Sequence, residues 1–132
     1  MAEISVIFAK GNFLPTAITS LASAASQTHA DFASNAPMVK YCTGFQLQID
    51  ATGAAGAAGN IVVDLAGSTD GTNFDTLTDT TQRYTQVNLT LNGTGAQRVT
   101  IPIDVAGLRN IRVQKITNNS GQTATTIQVR YS

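Results

Sequence analysis

The chain has no tryptophan, one cysteine (Cys42), one histidine (His29) and one glutamate (Glu3). A single thiol excludes an internal disulfide framework and a multi-cysteine zinc site, so Cys42 is expected as a small buried apolar residue. His29 sits in Ser26-Gln27-Thr28-His29-Ala30-Asp31. Asp31 could orient a histidine base, but no second metal-ligand or nucleophile pattern stands beside it. His29 therefore reads as a solvated loop residue. The sequence also lacks a phosphate-cradling glycine loop, a Gly-x-Ser-x-Gly elbow and a His-Glu-x-x-His pair. The expectation is a protein that is not an enzyme, with no catalytic, cofactor-binding or metal-ligating residues and no cofactor.

Charge is scarce too. Charged residues make up 12% of the chain, and eight basic residues balance eight acidic ones. Nucleic-acid binding is disfavoured, because phosphate neutralisation needs an excess of Lys and Arg. Weak repulsion between molecules suits a subunit of an assembly. The charges are also segregated: Asp50, Asp64, Asp70, Asp75 and Asp79 crowd the middle, while Arg98, Arg109, Arg112, Lys115 and Arg130 dominate the last third. Two arrangements follow. The groups lie side by side and neutralise each other, or they lie at opposite ends and let subunits dock acid to base.

No apolar run approaches the roughly 20 residues that span a bilayer. The beginning, Met1 to Lys10, carries an acid and no basic region ahead of an apolar core, so it does not read as a secretory signal. No membrane partner is expected, and the product is expected to stay soluble where it is made.

What is present is β-patterning. Phe45-Gln46-Leu47-Gln48-Ile49-Asp50 alternates apolar with polar, as a strand buried on one face does. Asn60 to Ser68, Val87 to Asn92, Gln97 to Ile103, Asn110 to Ile116 and Thr126 to Tyr131 add further strands. Between them lie Gly, Asn, Asp and Ser clusters. Asn92-Gly93-Thr94-Gly95 carries a strong tight-turn signal, and the last two strands are expected to pair as a hairpin across Asn118-Asn119-Ser120-Gly121. Ala51 to Gly59, rich in Gly and Ala, reads as an exposed mobile loop. Pro102 has no N–H to give a ladder, which places its strand at an edge or at its end. Ile4, Val6, Phe8, Phe13 and Leu14 suggest one short strand with an irregular continuation. Thr19 to Ser26 is expected to be extended, with a short helix as the alternative.

Strands at this spacing point to one all-β domain over residues 1–132, an antiparallel β-sandwich or jelly roll with an extended N-terminal segment. Residues 1–37 are a candidate contact arm, or else they complete their own domain. At 132 residues such a domain buries roughly two-thirds of the surface of its unfolded chain.

Three weaker signals remain. Asp70-Gly71-Thr72-Asn73-Phe74-Asp75 is loosely like a calcium loop, but a turn held by its own Asp and Asn side chains explains the same residues. Asn88-Leu89-Thr90, Asn92-Gly93-Thr94 and Asn118-Asn119-Ser120 match the glycosylation acceptor pattern and read better as turn and strand composition. Sugar stacking finds few candidates among the aromatics, with Tyr84 and Phe74 the ones to substitute.

Two stretches carry a resemblance. Ala66-Gly67-Ser68-Thr69-Asp70-Gly71-Thr72-Asn73-Phe74, with Leu108-Arg109-Asn110-Ile111-Arg112-Val113 later, resembles the turn and following strand of discoidin-like and related phage β-sandwich repeats. The Thr19 to Ser26 segment, the loop with Asn35, Tyr41, the strand from Phe45 to Ile49, the Gly/Ala loop after it and the Gly67 to Phe74 turn together are similar to small virion proteins of tailed bacteriophages. Phe32 to Pro37 departs from the charged, Asn-rich loop of such proteins, and the C-terminal segment is more basic than theirs. The resemblance implies a bacteriophage capsid decoration or head-stabilising protein on the capsid surface of the virion. Its partners would be the major capsid protein and copies of itself, a trimer by analogy. The competing expectations are a carbohydrate-binding or host-adhesion module displayed on a particle, and a self-assembling filament or tube subunit.

Overall fold

The computed structural model describes residues 10–76 and 84–132. The expected strand at Ile4, Val6 and Phe8 lies outside the described residues, as does Asp79.

Two antiparallel sheets stack face to face. The first contains β1 (Gly11–Asn12), β2 (Ile18–Leu21), β4 (Gly44–Gly53), β7 (Gly95–Asp104) and β9 (Ala124–Tyr131), in the order β1-β9-β4-β7 with β2 also on β9. The second contains β3 (Ser26–Thr28), β5 (Ala58–Ser68), β6 (Thr85–Asn92) and β8 (Asn110–Asn119), in the order β3-β8-β5-β6. One short helix, α1 (His29–Phe32), follows β3. The antiparallel pairings are nested: β1 and β2 with β9, β3 with β8, β4 with β7, and β5 with β6. That nesting, rolled so that β9 meets β4 and β8 meets β5, is jelly-roll connectivity. The expected all-β sandwich is the observed fold.

Alternation builds the core. Phe45, Leu47, Ile49 and Ala51 of β4 are buried, with Val87, Leu89 and Leu91 of β6 and Ile127 and Val129 of β9. Their polar neighbours in sequence point to the outer faces, as the two-residue period requires. In β8 the alternation breaks, since Val113 and Ile116 are both fully buried. The ladder absorbs the break: Asp64 faces Lys115 while Leu65 faces Val113, which leaves Gln114 as the extra residue of a bulge.

Several local expectations are corrected. β8 and β9 do not form a hairpin, because they lie in different sheets, and β6 and β7 are separated in the same way. Asn92 to Gly95 and Asn119 to Ala124 therefore cross the sandwich. The Ala51 to Gly59 stretch is also a crossing. It is not an exposed mobile loop, for Ala51 and Ala57 are buried and strands β4 and β5 extend well into it. The three crossings meet at one end, where Gly93 N–H donates to Ala57 O at 2.9 Å and Ala58 N–H to Ser120 O at 2.9 Å. Crowding there explains the small residues. A Cβ on Gly59 would stand 2.1 Å from Asn119 O.

Residues 10–37 supply β1, β2, β3 and α1 to this chain's own sandwich. Phe13, Leu14, Ile18, Leu21 and Phe32 all join the core, so the described part of the candidate arm completes its own domain. Thr19 to Leu21 is strand, as expected, and the helix starts only at His29. After β3 the chain continues along β8: Ser34 Oγ accepts from Val113 N–H at 3.0 Å, and Met38 bridges to Asn110. Pro102 lies in β7, which is an edge strand.

Candidate functional site

Asp50 of β4 lies between β7 and β9, and both Arg98 and Arg130 reach its carboxylate. Asp64 faces Lys115 across the β5–β8 ladder and accepts from Gln86 Nε2 at 2.8 Å. Arg112 stacks on Phe74, its guanidinium carbon 4.2 Å from the ring centre. Acids and bases from separate stretches of the chain are thus interleaved, the first of the two arrangements expected. The alternative, with the two signs at opposite ends, is not the observed one.

The outer face of the first sheet carries the Asp50 group together with Gln46, Gln48 and Thr100. Two shallow troughs of about 510 and 570 Å³ flank Arg130 there. Polar residues make up most of their lining, yet more apolar than polar surface is exposed in them, and the arginines there already face a carboxylate.

The Asp70 turn is held by its own side chains. Asp70 Oδ1 accepts from Thr72 N–H and Asn73 N–H, both at 2.8 Å, and from Ser68 Oγ at 3.0 Å. Oδ2 accepts from Asn73 Nδ2 at 2.7 Å. The backbone donors of Asn73 and Thr72 lead in holding this carboxyl well below the usual carboxylate range. Asp75 closes the loop, accepting from Gly67 N–H at 3.0 Å. Oxygens so engaged form the Asx-type turn read from the sequence. Among the described residues no three His, Cys, Asp or Glu side chains are grouped to hold a metal ion.

His29 is half-buried, where a solvated loop residue was expected. It opens α1, whose start is fixed by Asp31: its carboxylate accepts from Thr28 N–H at 2.8 Å. Burial, then the nearby Arg112 guanidinium, pushes the His29 pKa down from 6.5. Cys42 is free, partly buried and packed against the core. Asn118, within one glycosylation-like triplet, is fully buried.

The two aromatics named for sugar stacking are engaged otherwise. The Tyr84 hydroxyl donates to Asp104 O at 2.6 Å, and Phe74 lies under Arg112. Burial, with Asp104 and Asp75 nearby, raises the Tyr84 pKa.

The end opposite the three crossings differs in character. Residues 35–43 loop over it, tied by Val39 N–H to Arg109 O at 2.7 Å and by Val105 N–H to Thr43 O at 2.9 Å. Met38 is 56% exposed and Tyr41 71% exposed, with Lys40 Nζ 5.3 Å from the Tyr41 ring centre. Alternation cannot reveal this tip, because these residues belong to no strand. Buried Val39 between them, at 0% exposure, anchors the loop and turns its neighbours outward. No protein-family model matches the chain, and no curated protein or solved structure is significantly similar to it.

Proposed function

We propose that this chain is a non-enzymatic virion structural protein, a bacteriophage capsid decoration protein that docks on the shell and bridges capsomers. The observation that carries the reading is the tip at Met38 and Tyr41, two exposed large apolar side chains on a jelly roll whose Asp50, Arg98 and Arg130 are engaged with one another. Exposed apolar groups of this kind gain most when covered by a partner, and tyrosine is enriched at interfaces. Jelly rolls serve repeatedly in viral capsids. The sequence resemblance points the same way. Each contact need be only modest, since repetition by the symmetry of a shell multiplies it. Its partners are then the major capsid protein and further copies of this chain.

The test uses purified particles. Virions carrying the protein, found there by mass spectrometry, should withstand heat better than particles lacking it. Met38→Ser with Tyr41→Ser should abolish rebinding to stripped particles without altering the fold. Absence from virions, or unchanged capsid stability on removal, overturns the reading.

A second reading, a carbohydrate-binding or adhesion module, is favoured by the same exposed Tyr41 ring as a stacking surface. Glycan-array binding lost in Tyr41→Ala and retained in Met38→Ser would select it over capsid docking.

A further inference from the structure

Among the described residues four strand edges bound the two sheets, and they are unequally defended. Exposed edges invite pairing with another chain, and proteins blunt them with charges, proline, bulges or shortness. β2 and β3 are short, at 4 and 3 residues. β7 carries Arg98, Pro102 and Asp104. β6 runs for 8 residues, Thr85-Gln86-Val87-Asn88-Leu89-Thr90-Leu91-Asn92, with no charge and no proline, and its pairing with β5 is regular throughout.

Among the described residues the flank beside β6 is also open. β6 and β7 are the edge strands on one side of the sandwich, and a cleft of about 410 Å³ opens there, lined by Tyr84, Val87, Ile101, Pro102 and Ile103. Val99 and Ile101 have the inward parity of the buried Ile103, yet both remain half-exposed. Among the described residues, nothing closes this side.

We propose that β6 pairs antiparallel with β6 of a second copy of this chain, continuing the second sheet across a twofold axis. Parity restricts the register. Directly opposed residues share a face, so the axis passes beside one residue, Asn88 or Leu89. In both registers Val87, Leu89 and Leu91 continue the inner face while Gln86, Asn88 and Thr90 continue the outer one. No ionisable group of β6 meets its own copy. The paired edges bring the two open flanks together and cover Val99 and Ile101. Such an interface is isologous and closes at two subunits, unlike the trimer suggested by analogy. It does not depend on the capsid reading.

The test is sedimentation of the full chain over the micromolar to millimolar range. The expected species is a reversible dimer at twice the 13.8 kDa of the monomer. Asn88→Lys with Thr90→Lys sets like charges opposite each other in either register and should weaken the dimer about tenfold or more. Asn88→Glu with Thr90→Glu should do the same. An equimolar mixture of the two variants should restore dimerisation, which also shows that each variant is folded. A wild-type monomer at every concentration, a trimer, a dimer indifferent to both variants, or a mixture that stays monomeric overturns the proposal.

Discussion

The Asn118 side-chain amide donates to Leu21 O at 2.8 Å, fastening the end of β2 in one sheet to β8 in the other. The same Nδ2 donates to Gln122 O at 2.7 Å, while Oδ1 accepts from Ser120 N–H at 3.0 Å and Ser120 Oγ at 2.7 Å. Its backbone takes part too, donating to Ala25 O and accepting from Ala24 N–H. This fully buried side chain satisfies groups from two segments at once, the end of β2 and the Asn119 to Ala124 crossing. Removing it takes the amide partner from Leu21 O and the Oδ1 partner from Ser120 N–H, while Ser120 Oγ still donates to Gln122 O at 3.0 Å; each group left stranded costs about 1–3 kcal/mol. Asn118→Ala should therefore lower the unfolding free energy by about 3 kcal/mol in urea titration. Asn118→Asp should be at least as damaging, since a carboxylate would face two carbonyl oxygens. A loss under about 0.5 kcal/mol would mean that the network is dispensable.

Much of the strand pattern was legible because burying one face imposes a two-residue period on the sequence. Partner choice was not. Both sheets bury a face against the same core, so alternation in β6 and β7 looks alike whether the strands pair or cross between layers. Asn92-Gly93 signals a sharp turn in either case, and the hairpin inference added a pairing that the residues do not encode. The Gly/Ala stretch of 51–59 misled for a different reason. Small residues there answer crowding from crossings at Asn92 to Gly95 and Asn119 to Ala124, remote in sequence. Of the candidate sites, the Asp70 turn was legible because its bonds are local. The exposure of Met38 and Tyr41 was not, because it depends on how Val39 is anchored.

Crowding makes a prediction at Gly59. A methyl group placed there meets backbone at Asn119 O, which no side-chain rotation can move aside. Gly59→Ala should destabilise the fold by about 3 kcal/mol, the upper part of the usual overpacking range. Gly121, where a Cβ would meet nothing within 4 Å but φ is +83°, makes a useful comparison. Gly121→Ala should lose only the backbone term of about 1 kcal/mol. Thermal melts that rank the two in reverse would contradict the packing described for this end.

Thr126 predicts a gain. It lies in a register shift of β9 against β4 and takes φ of 52°, a left-handed conformation that a β-branched residue adopts only under strain. It is exposed and its side chain is not needed for the core. Asparagine tolerates this region far better than threonine. Thr126→Asn should raise stability by about 0.5–1 kcal/mol in denaturant unfolding. Thr126→Val, equally branched at Cβ, should give no gain. A stabilising valine would show that the strained conformation is not what the asparagine relieves.

His29 gives the chain a pH response whose sign can be worked out. Burial first, and Arg112 second, lower its folded pKa below the ordinary 6.5. The folded state therefore favours neutral imidazole, and between the folded and unfolded values the unfolded chain holds more protons. The associated stability is present above pH 6.5 and is lost as pH falls towards the folded pKa, below which no further loss occurs. Asp70 acts in the same direction at lower pH, because its folded pKa is also depressed. Its share is held above the ordinary carboxylate range and disappears only in stronger acid. Unfolding measured between pH 7 and 5 should show a decline that His29→Gln removes and Asp70→Asn leaves in place. Direct titration of the imidazole by NMR should give a value under 6.5, and Arg112→Gln should raise it only part of the way, since burial is the larger cause. Full recovery to 6.5 in that variant would mean that charge, not desolvation, sets the behaviour of this residue.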